Sequence, residues 1–379
     1  MTSLKKITIA LSILIAGVLF FACSKSSSGD TNTPTPDPGF DKAAMLTGYA
    51  DQLIIPAYNS LQQKMTALQT ASAAFTAAPS ATTQQSLKEA YTATRLQYAH
   101  VEAFNFGPAA VELLDAFGNF AGGLDYNFTT DGELTGYSVD SVLIEKNISS
   151  GNYDLTVYSR NSCYAQGFPA LEYLYFGPDA VAKFSANTAA RTKYVKDVTD
   201  RLKSIIDKVV SSWASYRSSF IANTKSDVGS PIGNIVNQLA YQMDMLKGPR
   251  IGWPFGKQSN GTVFASKSEA YYSGLSGQLA VENLTSLKTF FTNASGSKGI
   301  SAYLVALKKE TLNTDVLAQF DVTIAKLQAI PSPLSASFSE HAADVDNAYK
   351  EIQKLLTLLK TDVASATGVQ ISFMDNDGD

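Results

Sequence analysis

Two acids seventy positions apart share a setting that acids rarely occupy. "HVEAFNFGP", His100 to Pro108, holds Glu102, and "GFPALEYLYFGP", Gly167 to Pro178, holds Glu172. In each, a lone Glu lies on an aliphatic and aromatic stretch that closes with Phe-Gly-Pro. Each Phe-Gly-Pro reads as a helix end, with Gly in the left-handed conformation and Pro unable to continue the helix. Both carboxylates are then expected in last turns, where the helix dipole is negative and aromatic neighbours strip water from the charge. Something positive should compensate. Arg95 and Tyr98 precede Glu102 by seven and four residues and share its helix face. Arg95 turned toward the other carboxylate, Glu172, is one answer, and a metal ion is the other. Glu102, Glu172, Tyr98, Tyr173 and Tyr175 offer oxygen donors suited to a hard cation such as ferric iron, with His100 as the nitrogen nearby. The alternative reading of the same residues is two buried acids satisfied by Arg, Tyr or backbone amides, with the tyrosines as core aromatics.

Catalysis has less to work with. The chain has two histidines, His100 and His341, and neither belongs to a His-Glu-x-x-His pair, whereas a zinc peptidase needs about three protein ligands and a general base. Ser273 and Ser276 lie in "YYSGLSGQ", but no Gly-x-Ser-x-Gly elbow surrounds them. The "DNDGD" of Asp375 to Asp379 begins like a calcium loop, yet Gly378 stands fourth rather than sixth, so a solvated acidic tail is expected. These residues point to binding rather than to an enzyme.

The elements that would position them are helical. Val195, Val198, Leu202, Ile205, Val209, Trp213, Tyr216 and Phe220 recur at steps of three and four and predict one long amphipathic helix. Similar patterns predict helices over Met45 to Phe75, Ser86 to Phe106, Ile235 to Leu246, Ser276 to Phe291, Val316 to Ile330 and Ala342 to Val363, with Pro56 kinking the first. Two Gly- and aromatic-rich segments, Phe117 to Tyr137 and Leu246 to Val263, read as long loops of functional interest. The expected fold is all-α, with two tandem, related four-helix-type bundles over about 40–185 and 186–379.

Ahead of this body, Lys5, Lys6 and the apolar run Ile7 to Phe21 read as a signal peptide over residues 1–22. The run is shorter than the roughly 20 residues of a spanning helix. "LFFAC" looks like a lipoprotein cleavage box, making Cys23 the acylated first residue, and residues 23–39 read as a flexible tether. With Cys23 lipidated, Cys163 has no disulfide partner. The net charge of −4 becomes −6 once Lys5 and Lys6 are removed, which makes nucleic acid an improbable partner.

On these residues the chain resembles the imelysin family of bacterial secreted and lipid-anchored proteins. "GFPALEYLYFG" is similar to its Gly-x-His-x-x-Glu signature, with Gly167 and Glu172 matching and Pro169 in the place of His. "AYTATRLQYAHVEAFNFGP", "LKGPRIGWPFGKQ", "SEAYYSGLSGQLAVENL" and "TGVQISFMDNDGD" are similar to further family segments. The resemblance implies two related four-helix bundles with the motif near their interface, and a cell-envelope role in iron or haem uptake beside transport components. The resemblance carries Gly167 and Glu172; together with the residues read above, the ligand-binding candidates are Glu102, Glu172, Arg95, Tyr98 and Gly167 and the metal candidates Glu172, Glu102 and His100, the metal being iron or another divalent ion. Membership would place the protein at the periplasmic face or the outer membrane, anchored by lipid. Some family members were classed as metallopeptidases, which leaves a divergent metallopeptidase, or a structural, partner-docking lipoprotein without the metal site, as the other readings.

Overall fold

The computed structural model describes residues 39–120, 139–293 and 298–373, together with two short strands at 126–128 and 134–136. The expected signal peptide, Cys23, most of the tether and the acidic tail lie outside the described residues. Pro38–Asp379 form one compact unit, and the fold is all-α.

Asp41 caps the first helix by accepting a hydrogen bond from the Ala44 amide at 2.8 Å. The helix Lys42–Gly48 then widens into a π turn, Tyr49–Ile54, and resumes as Ile55–Ala77. Pro56 is the reason: it has no N–H to give the carbonyl one turn back, and the register loosens just ahead of it. Ser80 and Thr83 form a reciprocal capping box that restarts the chain as Ala81–Val101, and the two helices pack as a hairpin. The long helix Thr188–Ala222 lies against Ile55–Ala77. Its predicted stripe is buried at Val195, Val198, Leu202, Ile205, Val209, Trp213 and Phe220, with Tyr216 half-buried.

In the second half, Ser276–Thr292 packs on both Ala81–Val101 and Glu310–Gln328, and Glu310–Gln328 packs on Ala342–Thr357. Pro231–Met245 lies against Ala342–Thr357 and against the 3-10 turn Glu102–Phe104. The helix Ser276–Thr292 therefore bridges the segment around Glu102 to the C-terminal helices. Among the described residues no helix is long and apolar enough to cross a membrane.

The two expected loops are partly regular. Leu246–Gly252 is a π turn that continues the preceding helix across Pro249, and Trp253–Phe255 adds a further turn. The other segment begins inside the helix Leu114–Gly118 and contains an antiparallel ribbon that pairs Tyr126 with Gly136 and Phe128 with Leu134. The reading of Phe-Gly-Pro as a helix end holds at Gly177, though without the left-handed conformation, and is corrected at Gly107. Gly107 does have positive φ, but it precedes a short helix whose first residue is Pro108, so the motif is a helix start, where Pro is tolerated. Gly177 closes Gly167–Phe176 in an extended conformation, its N–H returning to the Tyr173 carbonyl. Its own Cβ would have met that carbonyl, so Gly is required by close approach and not by handedness.

Candidate functional site

Arg95, Tyr98 and Glu102 emerge from one face of Ala81–Val101 and its C-cap, and all three are buried. The Arg95 guanidinium is held by the rings of Tyr98 and Phe168, 5.3 Å from each centroid. One of its nitrogens, Nη2, binds the carboxylate of Glu269, and Nη1 stands 3.6 Å from Glu102. Arg250, from the π turn, approaches both acids, at 3.1 Å from Glu102 and 3.3 Å from Glu269. Two carboxylates and two guanidiniums thus neutralise one another inside the protein. Asn119 donates to Glu269 at 2.9 Å and to Glu102 at 3.3 Å, Asn283 donates to Glu102 at 2.9 Å, and the Gln242 side chain donates to the Glu102 carbonyl at 3.0 Å. A buried ion pair leans on hydrogen bonds to its remaining polar atoms, and the amides of Asn119, Asn283 and Gln242 give these to Glu269 and Glu102. The cluster also ties the segment 95–119 to 242–283.

Glu172 lies in Gly167–Phe176 among Phe168, Leu171 and Tyr175, all buried. No hydrogen bond or ion pair joins it to Glu102. Two hydrogen bonds fall on a single oxygen, Oε1, which accepts from the Ser273 amide at 2.7 Å and the Ser273 hydroxyl at 2.6 Å. Loss of water pushes the carboxyl up to about 7; the Ser273 hydroxyl and amide, and then the charge of Arg95, pull the other way. Asp115 receives the Tyr98 hydroxyl at 2.6 Å and is likewise pushed up to about 7, by desolvation first, against the pull of that hydrogen bond.

Glu172, Pro169, Arg95, Asn119, Tyr91 and Tyr272 line a cavity of about 230 Å³, closed further by the 266–271 segment. Arg95 Nη1 and Asn119 Oδ1 are buried with no hydrogen-bond partner among the described residues. Ala270, on the same segment between Glu269 and Ser273, has φ +52°, a strained conformation for a residue with a Cβ and one that clusters at functional sites.

The remaining candidates fall elsewhere. His100 points off the inner face of its helix, is 40% exposed, and pairs with Glu282. Gly167 makes no polar contact with a ligand space; its φ is +70°, and a Cβ there would lie 2.5 Å from the Phe117 carbonyl oxygen and still nearer that of Gly118. It is glycine because the helix Gly167–Phe176 starts hard against the end of Leu114–Gly118. Among the described residues, no group of three or more His, Cys, Asp or Glu is placed to hold a metal ion. The donor set agrees: at Glu102 and Glu269 a cation would face two guanidiniums, and at Glu172 it would find one carboxylate. A resident catalytic metal does not fit these residues.

Sequence reasoning from the paired Glu segments missed Arg250, Glu269, Asn119, Asn283 and Gln242. Arg250 and Glu269 do lie in the two segments that resemble the family, "LKGPRIGWPFGKQ" and "SEAYYSGLSGQLAVENL", and that likeness was the available signal. Ser273, weighed there as a nucleophile, instead holds Glu172.

Comparisons with known proteins agree with this architecture. The structure superposes on an imelysin-like protein from Psychrobacter arcticum with a TM-score of 0.67, at 18% identity over 88% of this chain and 97% of the other. It superposes equally, at 0.67 and 20% identity, on a protein described as an iron-regulated protein A precursor from Parabacteroides distasonis, over 86% of this chain and 95% of that one. At such identities the likeness is one of fold. A curated relative, iron-regulated protein A of Synechococcus elongatus, is 28% identical over 112 residues, which is 30% of this chain and 28% of the relative. The alignment spans less than a third of either protein. The family model described as imelysin, under a peptidase heading, matches residues 54–361. That span covers most of the chain, and the protein belongs to the imelysin family.

Proposed function

We propose that the protein is a non-catalytic binding component of iron acquisition at the cell envelope, and that its ligand seats in the cavity beside Glu172. One observation carries the reading: a cavity of about 230 Å³ opens beside Glu172, a buried acid raised to about 7 by loss of water, with Arg95 and Asn119 among the other residues that line it. The iron assignment is supported by the name of one relative, iron-regulated protein A of Synechococcus elongatus, and by the description of a solved structure of like fold as an iron-regulated protein A precursor. The envelope assignment is supported by the signal-like residues 1–22 and the lipobox ending at Cys23, with a lipid anchor and transport components as the partners.

The test is calorimetric titration of the protein with ferrous ion, ferric citrate and zinc, beside Glu172→Ala and Glu102→Ala variants checked for folding. Micromolar binding of an iron species that a folded Glu172→Ala variant loses is the expected result. No heat from any of the three would favour a structural, partner-docking lipoprotein instead. Peptide hydrolysis abolished by a chelator would revive the metallopeptidase reading that the family heading carries.

A further inference from the structure

We infer that the cavity beside Glu172 seats one uncharged sugar ring, whose hydroxyls bind the free oxygen of Glu172 and the protein hydroxyls around it and whose face lies on Tyr271. This rests on the reading above that a ligand occupies this cavity, and it names the class of that ligand.

Glu172 supplies the anchor. Its side chain is 4% exposed, and the amide and hydroxyl of Ser273 both fix Oε1. Oε2 takes no hydrogen bond among the described residues, is not sealed from solvent, and belongs to a side chain that lines the cavity. A carboxylate oxygen held in place without a partner calls for a donor. Charge decides which kind. Arg95 and Lys267 line the same space, so a cation would meet like charge there, and an anion would meet Glu172. An uncharged donor, a hydroxyl, fits both conditions.

The rest of the wall repeats that chemistry. Ser141, Ser266, Tyr271 and Tyr272 line the cavity, and none of their hydroxyls makes a hydrogen bond among the described residues. Each such hydroxyl can donate and accept, the complement of a ligand that carries several hydroxyls of its own. Tyr271 adds a surface. It is 43% exposed, yet its ring stands edge-on to Tyr272 at 5.6 Å, and Tyr272 stands edge-on to Tyr173 at 5.6 Å. An exposed ring already held by its neighbours loses little freedom when a ligand lies on it, and the C–H face of a sugar is such a partner. The backbone accounts for its exposure. Glu269 and Ser273 are both tied inward, to Arg95 and to Glu172, and Ala270 takes φ +52° between them, so Tyr271 is the residue this turn leaves outside. The volume of about 230 Å³ falls below the ~300–1,000 Å³ of sites that enclose drug-sized ligands, which suits a single ring.

The experiment is calorimetry on the full-chain protein with methyl glucoside, methyl galactoside and methyl mannoside, each beside its uronic acid and its 2-amino sugar, and with ferric citrate. Expected is binding of at least one methyl glycoside with a Kd below about 1 mM, at least ~tenfold tighter than its two charged counterparts. Tyr271→Ala should weaken that sugar at least ~tenfold and Tyr271→Phe should hold it within ~threefold, both with the melting temperature of the parent. Glu172→Ala, checked for folding, should abolish it. No methyl glycoside binding below about 10 mM, charged counterparts that bind as well, or binding indifferent to Tyr271→Ala overturns the inference. Ferric citrate binding that Glu172→Ala loses, with no response to any sugar, overturns it while leaving the proposed function standing. Sugar binding with these dependences and no heat from ferric citrate supports the inference and overturns the iron assignment. If neither a sugar nor an iron species binds, both fall together.

Discussion

Replacing Glu172 by Gln should make the protein more stable at neutral and alkaline pH and leave it nearly unchanged in mild acid. The carboxyl is 4% exposed, and burial lifts it from 4.5 to about 7. Each tenfold change in proton affinity corresponds to ~1.36 kcal/mol, so the ionised form carries a penalty of about 3 kcal/mol in the folded protein. Between the two values the folded state binds more protons than the unfolded chain. Stability contributed by Glu172 is therefore greatest below about pH 4.5, declines as pH rises, and is fully lost above about pH 7. Gln is isosteric with the protonated acid and can keep accepting from the Ser273 amide and hydroxyl, but it never ionises. Denaturant titrations of both proteins at about pH 5, 6, 7 and 8 give the difference curve. Other titrating groups, including Asp115, cancel in that difference. The Gln variant should gain up to about 3 kcal/mol between the ends of the range. A difference that stays flat, or a Gln variant less stable at about pH 8 than the parent, would refute the claim that Glu172 is buried at a desolvation cost.

Three further outcomes follow from the same geometry. Arg95→Leu alone leaves Glu269 and Glu102 under-compensated and should cost about 3–5 kcal/mol; adding Glu269→Leu should recover part of that loss, and a double-mutant cycle by denaturant unfolding reads the coupling. Gly167→Ala forces a Cβ onto the Phe117 and Gly118 carbonyls at φ +70°, so a loss exceeding about 2 kcal/mol is expected, visible as a lowered thermal midpoint. Cys163 is 1% exposed and burial raises its thiol above the ordinary range; it should resist a thiol reagent in the native protein and react fully in denaturant.

The helices were legible because burying one face imposes a period on the chain. The stripe from Val195 to Phe220 and the runs around Ser276 and Ala342 declare themselves residue by residue, and each appears as a helix. Glycine and proline were less legible, because one dipeptide serves opposite ends of a helix. Gly107-Pro108 opens a helix whereas Gly177 closes one, and only the packing around each distinguishes the two. The π turns before Pro56 and across Pro249 were legible only as disruption.

The sequence by itself determined an all-α body of the imelysin family and an acid, Glu172, set among aromatics where a charge must have a reason to be. Periodicity and local motifs reach only a few turns along the chain, so they carry that much. Tertiary structure decided which charges meet. Glu102 is joined by Arg250 and Glu269, 148 and 167 residues onward, Glu172 is held by Ser273, and His100 is turned away to Glu282. Coulomb attraction and desolvation depend on distance in space and on the water excluded around a group, and neither is set by position along a chain.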